Sequence, residues 1–438
     1  MPLLARPARL RRELERALPE RPFAIRLWDG SELPATSPDA PTFTVRSPRA
    51  VAQLMRAPGE LGLGRAYVTG RLDVDDMDAL IALIGAWEPP DLSAFTYARL
   101  LAAGALAGGL APEPPRPAAE LAPRGERHSR ERDARAVRHH YDVGNDFFAL
   151  FLDESMTYSC AIFSRGARTL EEAQREKLEL VCRKLELRPG ERVVDIGCGW
   201  GSFAIHAARE HGVSALGITL SEPQAALARE RAQAAGVSDR VSFRVMDYRE
   251  LEGERFDAVA SIGMVEHVGE ERIDLYAERL ASLLGDGGRL LNHGIAQLTH
   301  GPENEAGDFS ERFVFPDGAP LPLSRVQLAL ERAGFGTEHV EGFPGDYAET
   351  ITHWIERFEE RYEDAVRIGG AERARVWRLY LRAARHGFLA GHESIYQVRA
   401  RLGIPRSIGA PAAGAFATAG AGDGRGDVQR SAFFRSSA

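Results

Sequence analysis

Three glycines, Gly197, Gly199 and Gly201, follow directly on the apolar run Arg192-Val193-Val194-Asp195-Ile196. The run has the character of a buried parallel strand, and Phe203–Ala208 behind the glycines reads as a helix. Glycines at such a turn let the backbone approach a bound cofactor closely, with the helix N-terminus behind it. A dinucleotide fingerprint spaces its glycines G-x-G-x-x-G, whereas the spacing here is G-x-G-x-G. The tighter turn suits S-adenosylmethionine, which has no pyrophosphate to cradle. Glycine turns after strands also arise from packing alone, so the loop by itself leaves both readings open.

Other polar residues gather where a parallel sheet would bind a ligand, beyond the carboxyl ends of its strands. Thr219-Leu220-Ser221-Glu222-Pro223-Gln224 ends the second expected strand, Asp247-Tyr248 the third and Glu266-His267 the fourth. His293 and Ile295 follow the apolar pair Leu290-Leu291 on the fifth. Ser221 and Gln224 also fit a helix capping box, and Asp247-Tyr248 also fits turn chemistry. A ribose-binding carboxylate is not evident at the second strand's end, which argues against a nicotinamide dinucleotide. Upstream, Arg138–Phe148 and Met156–Phe163 crowd polar and aromatic residues around a glycine and a cysteine. They read either as helices packed over the sheet edge or as a lid that excludes water from a cofactor.

The elements around these residues set the organisation. At 438 residues, 44% hydrophobic and 27% charged, the chain has the make-up of a globular protein with more than one domain. A formal net charge of -8 gives no general attraction to nucleic acid or anionic lipid, so any membrane contact must be a local patch and no nucleic-acid partner is expected. Cys160, Cys182 and Cys198 form no disulfide framework and no metal-ligand spacing, which points to a reducing compartment and to no bound metal. No signal peptide or membrane span is expected, so the protein reads as cytoplasmic. The basic residues are nearly all arginine; Lys177 and Lys184 are the only lysines.

Residues 1–110 read as an N-terminal α+β accessory domain, with a helix over Ala8–Leu18, strands at Phe23–Trp28 and Pro41–Val45, and a helix over Asp75–Trp87. Residues 111–135, rich in Pro, Arg and Glu, read as an exposed linker. Strands are expected at Ser214–Leu220, Val241–Asp247, Phe256–Met264 and Arg289–Ala296, with helices at Pro223–Ala235 and Glu271–Leu284 between them. That alternation predicts an α/β, doubly wound parallel sheet over residues 136–402. Helices over Tyr347–Ile368 and Ala371–Leu389, then a strand over Ser394–Leu402, complete it. Residues 403–438 are Gly-, Ala- and Ser-rich and read as a disordered tail. The arginine-rich Ala8–Leu18 helix and the linker are candidate patches for anionic headgroups, or ordinary solvated faces.

Several stretches, in order, resemble the cyclopropane-fatty-acyl-phospholipid synthase family, which includes the mycolic acid cyclopropane synthases. They are HYDVGNDFF (His140–Phe148), MTYSCAIF (Met156–Phe163), VVDIGCGWGSFAIHAA (Val193–Ala208), GITLSEPQ (Gly217–Gln224), DYREL (Asp247–Leu251), SIGMVEHVG (Ser261–Gly269), FVFPDG (Phe313–Gly318) and DYAETITHWIERF (Asp346–Phe358). LGLGRAYVTG (Leu61–Gly70) is similar to the accessory domain of the longer bacterial members. The resemblance implies a Rossmann-like methyltransferase sheet with a helical lid. It also implies methyl transfer from S-adenosylmethionine to a cis double bond of phospholipid acyl chains at the inner membrane face, with loss of a proton closing a three-membered ring.

In that family a bound bicarbonate takes the proton, and its cage carries over to Cys160, Glu266, His293, Ile295 and Tyr347. Cofactor contacts carry over to Tyr158, Ser159, Gly197, Gly199, Gly201, Thr219, Leu220, Gln224, Asp247 and Tyr248. Ring faces of Tyr158, Phe163 and Phe313 are candidates for steadying positive charge. The family's longer members associate as dimers, which sets the expectation of a homodimer. A related branch leaves a methylene group on oleoyl lipids instead of a ring, and Asn292 beside His293 fits either branch.

Overall fold

The computed structural model describes residues 7–298 and 308–403, apart from residues 111, 113, 122–124, 142 and 319. The expected tail lies outside the described residues from position 404 onward. Near the N-terminus, strands β1 (Ala24–Arg26), β2 (Glu32–Leu33), β3 (Thr42–Val45) and β4 (Leu72–Val74) pair in the order β2-β1-β3-β4. Helices Pro7–Ala17, Pro48–Arg56, Glu60–Val68, Met77–Ala86 and Ala94–Gly104 complete this α+β unit. Its helix starts follow capping chemistry: Ser47 accepts from the Arg49 N–H, and Asp76 from those of Asp78 and Ala79.

The larger sheet has seven strands: β5 (Arg192–Ile196), β6 (Ser214–Thr219), β7 (Val241–Val245), β8 (Phe256–Ile262), β9 (Leu284–Gln297), β10 (Phe335–Gly342) and β11 (Glu393–Leu402). They lie in the order β10-β11-β9-β8-β5-β6-β7. From β7 through β9 every pairing is parallel, with β5 at the centre, its Val193, Val194 and Ile196 buried. Helices Ser202–His211, Glu222–Ala234 and Ile273–Ser282 are the crossovers. The doubly wound expectation holds for these five strands and needs amending beyond them. β11 runs antiparallel between β9 and β10, because it enters from helix Ala371–Leu389 at the opposite end of the sheet. β10 has no counterpart in the sequence reading; as an edge strand with an exposed middle it carries little apolar pattern.

Two further differences concern the approach to the site. The stretch Tyr347–Ile368 forms two helices, Pro344–Glu360 and Tyr362–Gly369, broken at Arg361. Part of the expected linker is tied down: Glu120 accepts from Arg65 at 2.6 and 2.8 Å, Leu121 N–H donates to the Arg312 carbonyl, and Arg132 pairs with buried Asp317. Helix Arg130–Tyr141 begins inside that stretch and leads to the lid. The N-terminal unit is fastened to helix Ala371–Leu389 by Arg375, which donates to the Tyr67 and Leu72 carbonyls and lies 4.0 Å over the Tyr67 ring.

Candidate active site

The glycine loop has the geometry its sequence demands. Gly197, Gly199 and Gly201 all adopt positive φ (78°, 52° and 79°), a region costly for residues with a Cβ. A Cβ on Gly201 would also sit 2.5 Å from the Phe243 ring. Beyond the loop lies a cavity lined by Tyr158, Ser159, Gly197, Gly199 and Gln224, together with Lys177 and Asp195. Gly201, Thr219, Leu220, Asp247 and Tyr248 are not on its wall. Thr219 supports it from behind, its hydroxyl donating to Gln224 Oε1 at 2.7 Å. Ser221 accepts from the Gln224 N–H, so the cap forms while the Gln224 side chain turns to the cavity. Asp247 makes a turn and an ion pair with Arg249, which also binds Asp133 on the helix before the lid. Burial opposes the charge on Asp247, but Arg249 and the turn N–H hold its carboxyl below the ordinary range.

Lys177 was not singled out as a site residue by the sequence, although its rarity was a signal. It is 1% exposed, donates to Ser159 Oγ at 3.0 Å, and burial pushes its pKa down to about 8 against the pull of Asp153, Cys160 and Asp195. Asp195 ends β5 beside it; burial raises its carboxyl to about 7, with Lys177 opposing. These two are the only charged residues lining the cavity among the described residues.

A second cavity of 340 Å³ adjoins the first, and Tyr141, Tyr158, Ser159, Ile262 and Gly263 line both. Glu266, His293, Ile295 and Tyr347 meet on its wall. His293 and Ile295, two apart on β9, face one side of the sheet with their register partners Gln397 and Ile395 on β11. The Gln397 amide nitrogen lies 3.4 Å from His293 Nδ1. With the Gln397 amide in this orientation, Nδ1 accepts and Nε2 carries the proton. Burial, then Lys177 and Lys184, hold this imidazole well below its usual pKa, and it is neutral at pH 7.

Glu266 sits on the short turn Val265–His267 after β8. Gly294 admits this turn against β9: a Cβ there would lie 2.1 Å from Val265 Cγ1 and 3.1 Å from Glu266 Oε2. Burial raises the Glu266 carboxyl to about 7, offset in part by its own N–H and that of Ile295. Glu266 Oε2 and His293 Nε2 are both buried without a hydrogen-bond partner. Buried polar atoms are normally paired, so an unpartnered acceptor and donor on one cavity wall fit a small polar guest.

Aromatic rings make up much of the remaining wall. Tyr158 lies 5.2 Å from Trp354, and Tyr347 lies 6.0 Å from Trp354 and 4.7 Å from Phe388. Phe309, Phe315, Tyr380 and a second, half-buried carboxylate, Glu393, add to it. Phe163 and Phe313, expected beside the charge, are not on this wall; Phe163 stacks on His353 and Phe313 on Phe309. Cys160 lies behind the wall, its thiol donating to the Ala161 carbonyl at 3.2 Å, and burial and Asp346 push its pKa well up. It is a neutral thiol. Asn292 points to the other face of β9, donating to Tyr276 in a buried chain that ends on Ser261.

The lid is clipped at both ends. Asn145 accepts from the Trp200 indole in the glycine loop at 2.7 Å and donates to the Pro223 carbonyl. Asp346 accepts from the N–H groups of Phe163 and Ser164, fixing the Met156–Phe163 loop to the helix that carries Tyr347. Met156 opens that loop at φ 54°, a left-handed conformation unusual for its side chain.

A family model described as mycolic acid cyclopropane synthetase matches residues 128–398. Among curated relatives, a probable fatty acid methyltransferase of Mycobacterium tuberculosis is 37% identical over 405 residues, covering 90% of this chain and 94% of that protein. The cyclopropane-fatty-acyl-phospholipid synthase of Escherichia coli (strain K12) is 32% identical over 351 residues, covering 80% and 85%. Among solved structures, the mycolic acid cyclopropane synthase CmaA1 complexed with SAH and CTAB superposes with a TM-score of 0.58 at 30% identity, covering 61% of this chain and 98% of that one.

Proposed function

This chain belongs to the mycolic acid cyclopropane synthetase family and is an S-adenosylmethionine-dependent methyltransferase, and we propose that it builds cyclopropane rings on cis double bonds of unsaturated phospholipid acyl chains. One observation carries the reading. A cavity rich in aromatic rings, with an unpartnered acceptor on Glu266 and an unpartnered donor on His293, adjoins the cavity behind the glycine loop.

S-adenosylmethionine, when bound, supplies an electrophilic sulfonium methyl. Tyr158, Ser159, Gly197, Gly199 and Gln224 would hold it, while Lys177 and Asp195 match in sign the carboxylate and ammonium of its amino-acid end. An alkene is a weak nucleophile, so the methyl must be close, aligned and dry. Tyr158, Ile262 and Gly263, shared by the two cavities, would set that approach. Positive charge then grows on the acyl chain, where the ring faces of Tyr158, Tyr347 and Trp354 favour it.

The atoms left open on the wall suit bicarbonate, which would supply a proton acceptor there. His293 Nε2–H can donate to an anion's oxygen, the Tyr347 hydroxyl can do the same, and ionised Glu266 can accept from its hydroxyl. Cys160 would act through the wall, as packing behind Tyr347, and needs no thiolate.

To reach acyl chains the protein must visit a bilayer. No described helix is long and apolar enough to cross one. Phe95, Tyr97, Leu101, Leu106 and Leu110 stand exposed on and just after helix Ala94–Gly104, which packs against the arginine-rich helix Pro7–Ala17. An apolar patch beside cations suits the surface of an anionic membrane.

A second reading stops at a methylene branch; it is favoured by the relatives whose names are fatty acid methyltransferase or tuberculostearic acid methyltransferase. Labelled S-adenosylmethionine and monounsaturated phospholipid vesicles, followed by NMR of the released acyl chains, separate the two. Ring protons support the leading reading, vinylic methylene protons the second, and unlabelled lipid refutes both.

A further inference from the structure

Away from both cavities, on the seam between helices Leu170–Lys184 and Ser202–His211, four metal-ligating side chains converge. Glu179 and Cys182 stand one turn apart on the first helix, His206 in the middle and His211 at the end of the second. One donor atom each from Cys182, His206 and His211 lie within 4.8 Å of one another. Both imidazoles turn Nε2 to a single oxygen, Glu179 Oε2, at 3.4 and 2.9 Å. In a tetrahedral zinc site with ligands about 2.0 to 2.3 Å from the ion, neighbouring donors stand about 3.3 to 3.6 Å apart. The 3.4 Å spacing matches such an edge; the 2.9 Å contact is a hydrogen bond that would open on binding, and the cysteine and histidine donors, within 4.8 Å of one another, would draw together around the ion.

We propose that Glu179, Cys182, His206 and His211 bind one zinc ion, which staples the two helices that flank β5. A Cys, two His and a carboxylate are the donor set that borderline-soft divalent ions select. The site has a face open to supply: His206 and Cys182 are buried, whereas the Glu179 side chain is 34% exposed and that of His211 20%. On binding, the Cys182 thiol loses its proton to solvent and coordinates as thiolate, and the imidazoles coordinate as neutral rings. Nothing is oxidised or reduced.

The placement gives the ion a task. The first helix also carries Lys177 and the second begins with Ser202 and Phe203, all lining the glycine-loop cavity. A clamp that begins two residues beyond Lys177 and three beyond Phe203 would hold the two helices in register where they line that cavity. Linear spacing hid the site, because each helix supplies only half of the ligands, 24 positions apart from Cys182 to His206.

The test uses the full-length chain, stripped with a chelator and titrated with Co²⁺ as the spectroscopic stand-in. One equivalent should bind, with the strong d–d bands of tetrahedral cobalt and a thiolate charge-transfer band, and Zn²⁺ should displace it. Cys182→Ala should abolish the charge-transfer band although Cys160 and Cys198 remain. His211→Asn, at the more open edge of the site, should weaken Co²⁺ binding by about tenfold or more. Zn²⁺ should raise the Tm of the wild type and not of either variant. Uptake well below one equivalent, or full uptake that both variants leave unchanged, overturns the proposal.

Discussion

Glu266 illustrates how placement, more than residue type, sets chemistry. A glutamate on an exposed loop would be ionised at any physiological pH. Burial on the cavity wall pushes its carboxyl up to about 7. In the proposed mechanism the ionised form accepts from the proton acceptor's hydroxyl, so log kcat should climb as pH rises through about 7. Glu266→Gln should lower kcat by about 10²- to 10⁴-fold and leave no such limb. Stability carries the opposite sign. A carboxyl raised above its unfolded value stabilises the fold at low pH, and that contribution fades as pH rises through the folded value. Tm should therefore fall less with pH in the glutamine variant, by thermal melts across that range. Lys177→Met should raise the KM for S-adenosylmethionine by about 10- to 100-fold, the worth of a charge-assisted hydrogen bond, while altering the KM for lipid little. Glu266, His293 and Tyr347 were legible as sequence because each follows a recognisable strand end or motif. The role of Lys177 was not: a lysine in the middle of a helix reads as a solvated face until packing turns it inward.

Among the elements, β9 and its neighbours carry the arrangement. His293 and Ile295 point into the cavity, while Asn292 faces away and ties the strand to Tyr276. Gly294 lets the Glu266 turn approach. Gly294→Ala would force its Cβ into Val265, costing about 1–3 kcal/mol as overpacking does. Activity should fall by more than the fraction unfolded explains, which circular dichroism and assay on one sample would separate. The alternating strands from β5 to β9 were legible because buried parallel strands are continuous apolar runs. β10 was not, since an edge strand with exposed residues lacks that run, and the antiparallel entry of β11 depends on where the preceding helix ends. The break at Arg361 was hidden for a similar reason, as helical periodicity continues on both sides of it.

At the scale of the whole molecule, both units line the second cavity. The N-terminal unit contributes Glu60 to the second cavity's lining and presents Phe95, Tyr97 and Leu101 of helix Ala94–Gly104 outward. Phe95→Asp combined with Leu101→Asp should cut co-sedimentation with anionic vesicles by about tenfold or more, given the loss of two exposed apolar side chains from the proposed membrane-contacting patch. Turnover of a detergent-solubilised unsaturated lipid should persist. In the proposed reaction, a methyl delivered from the glycine-loop cavity loses a proton beside Glu266 and His293. The direct measurement supplies S-adenosylmethionine with a trideuterated methyl group and reads the mass of the product acyl chain. Retention of two deuterons is expected, whether a ring or a methylene forms. An intact trideuteromethyl branch, or no transfer at all, would contradict it.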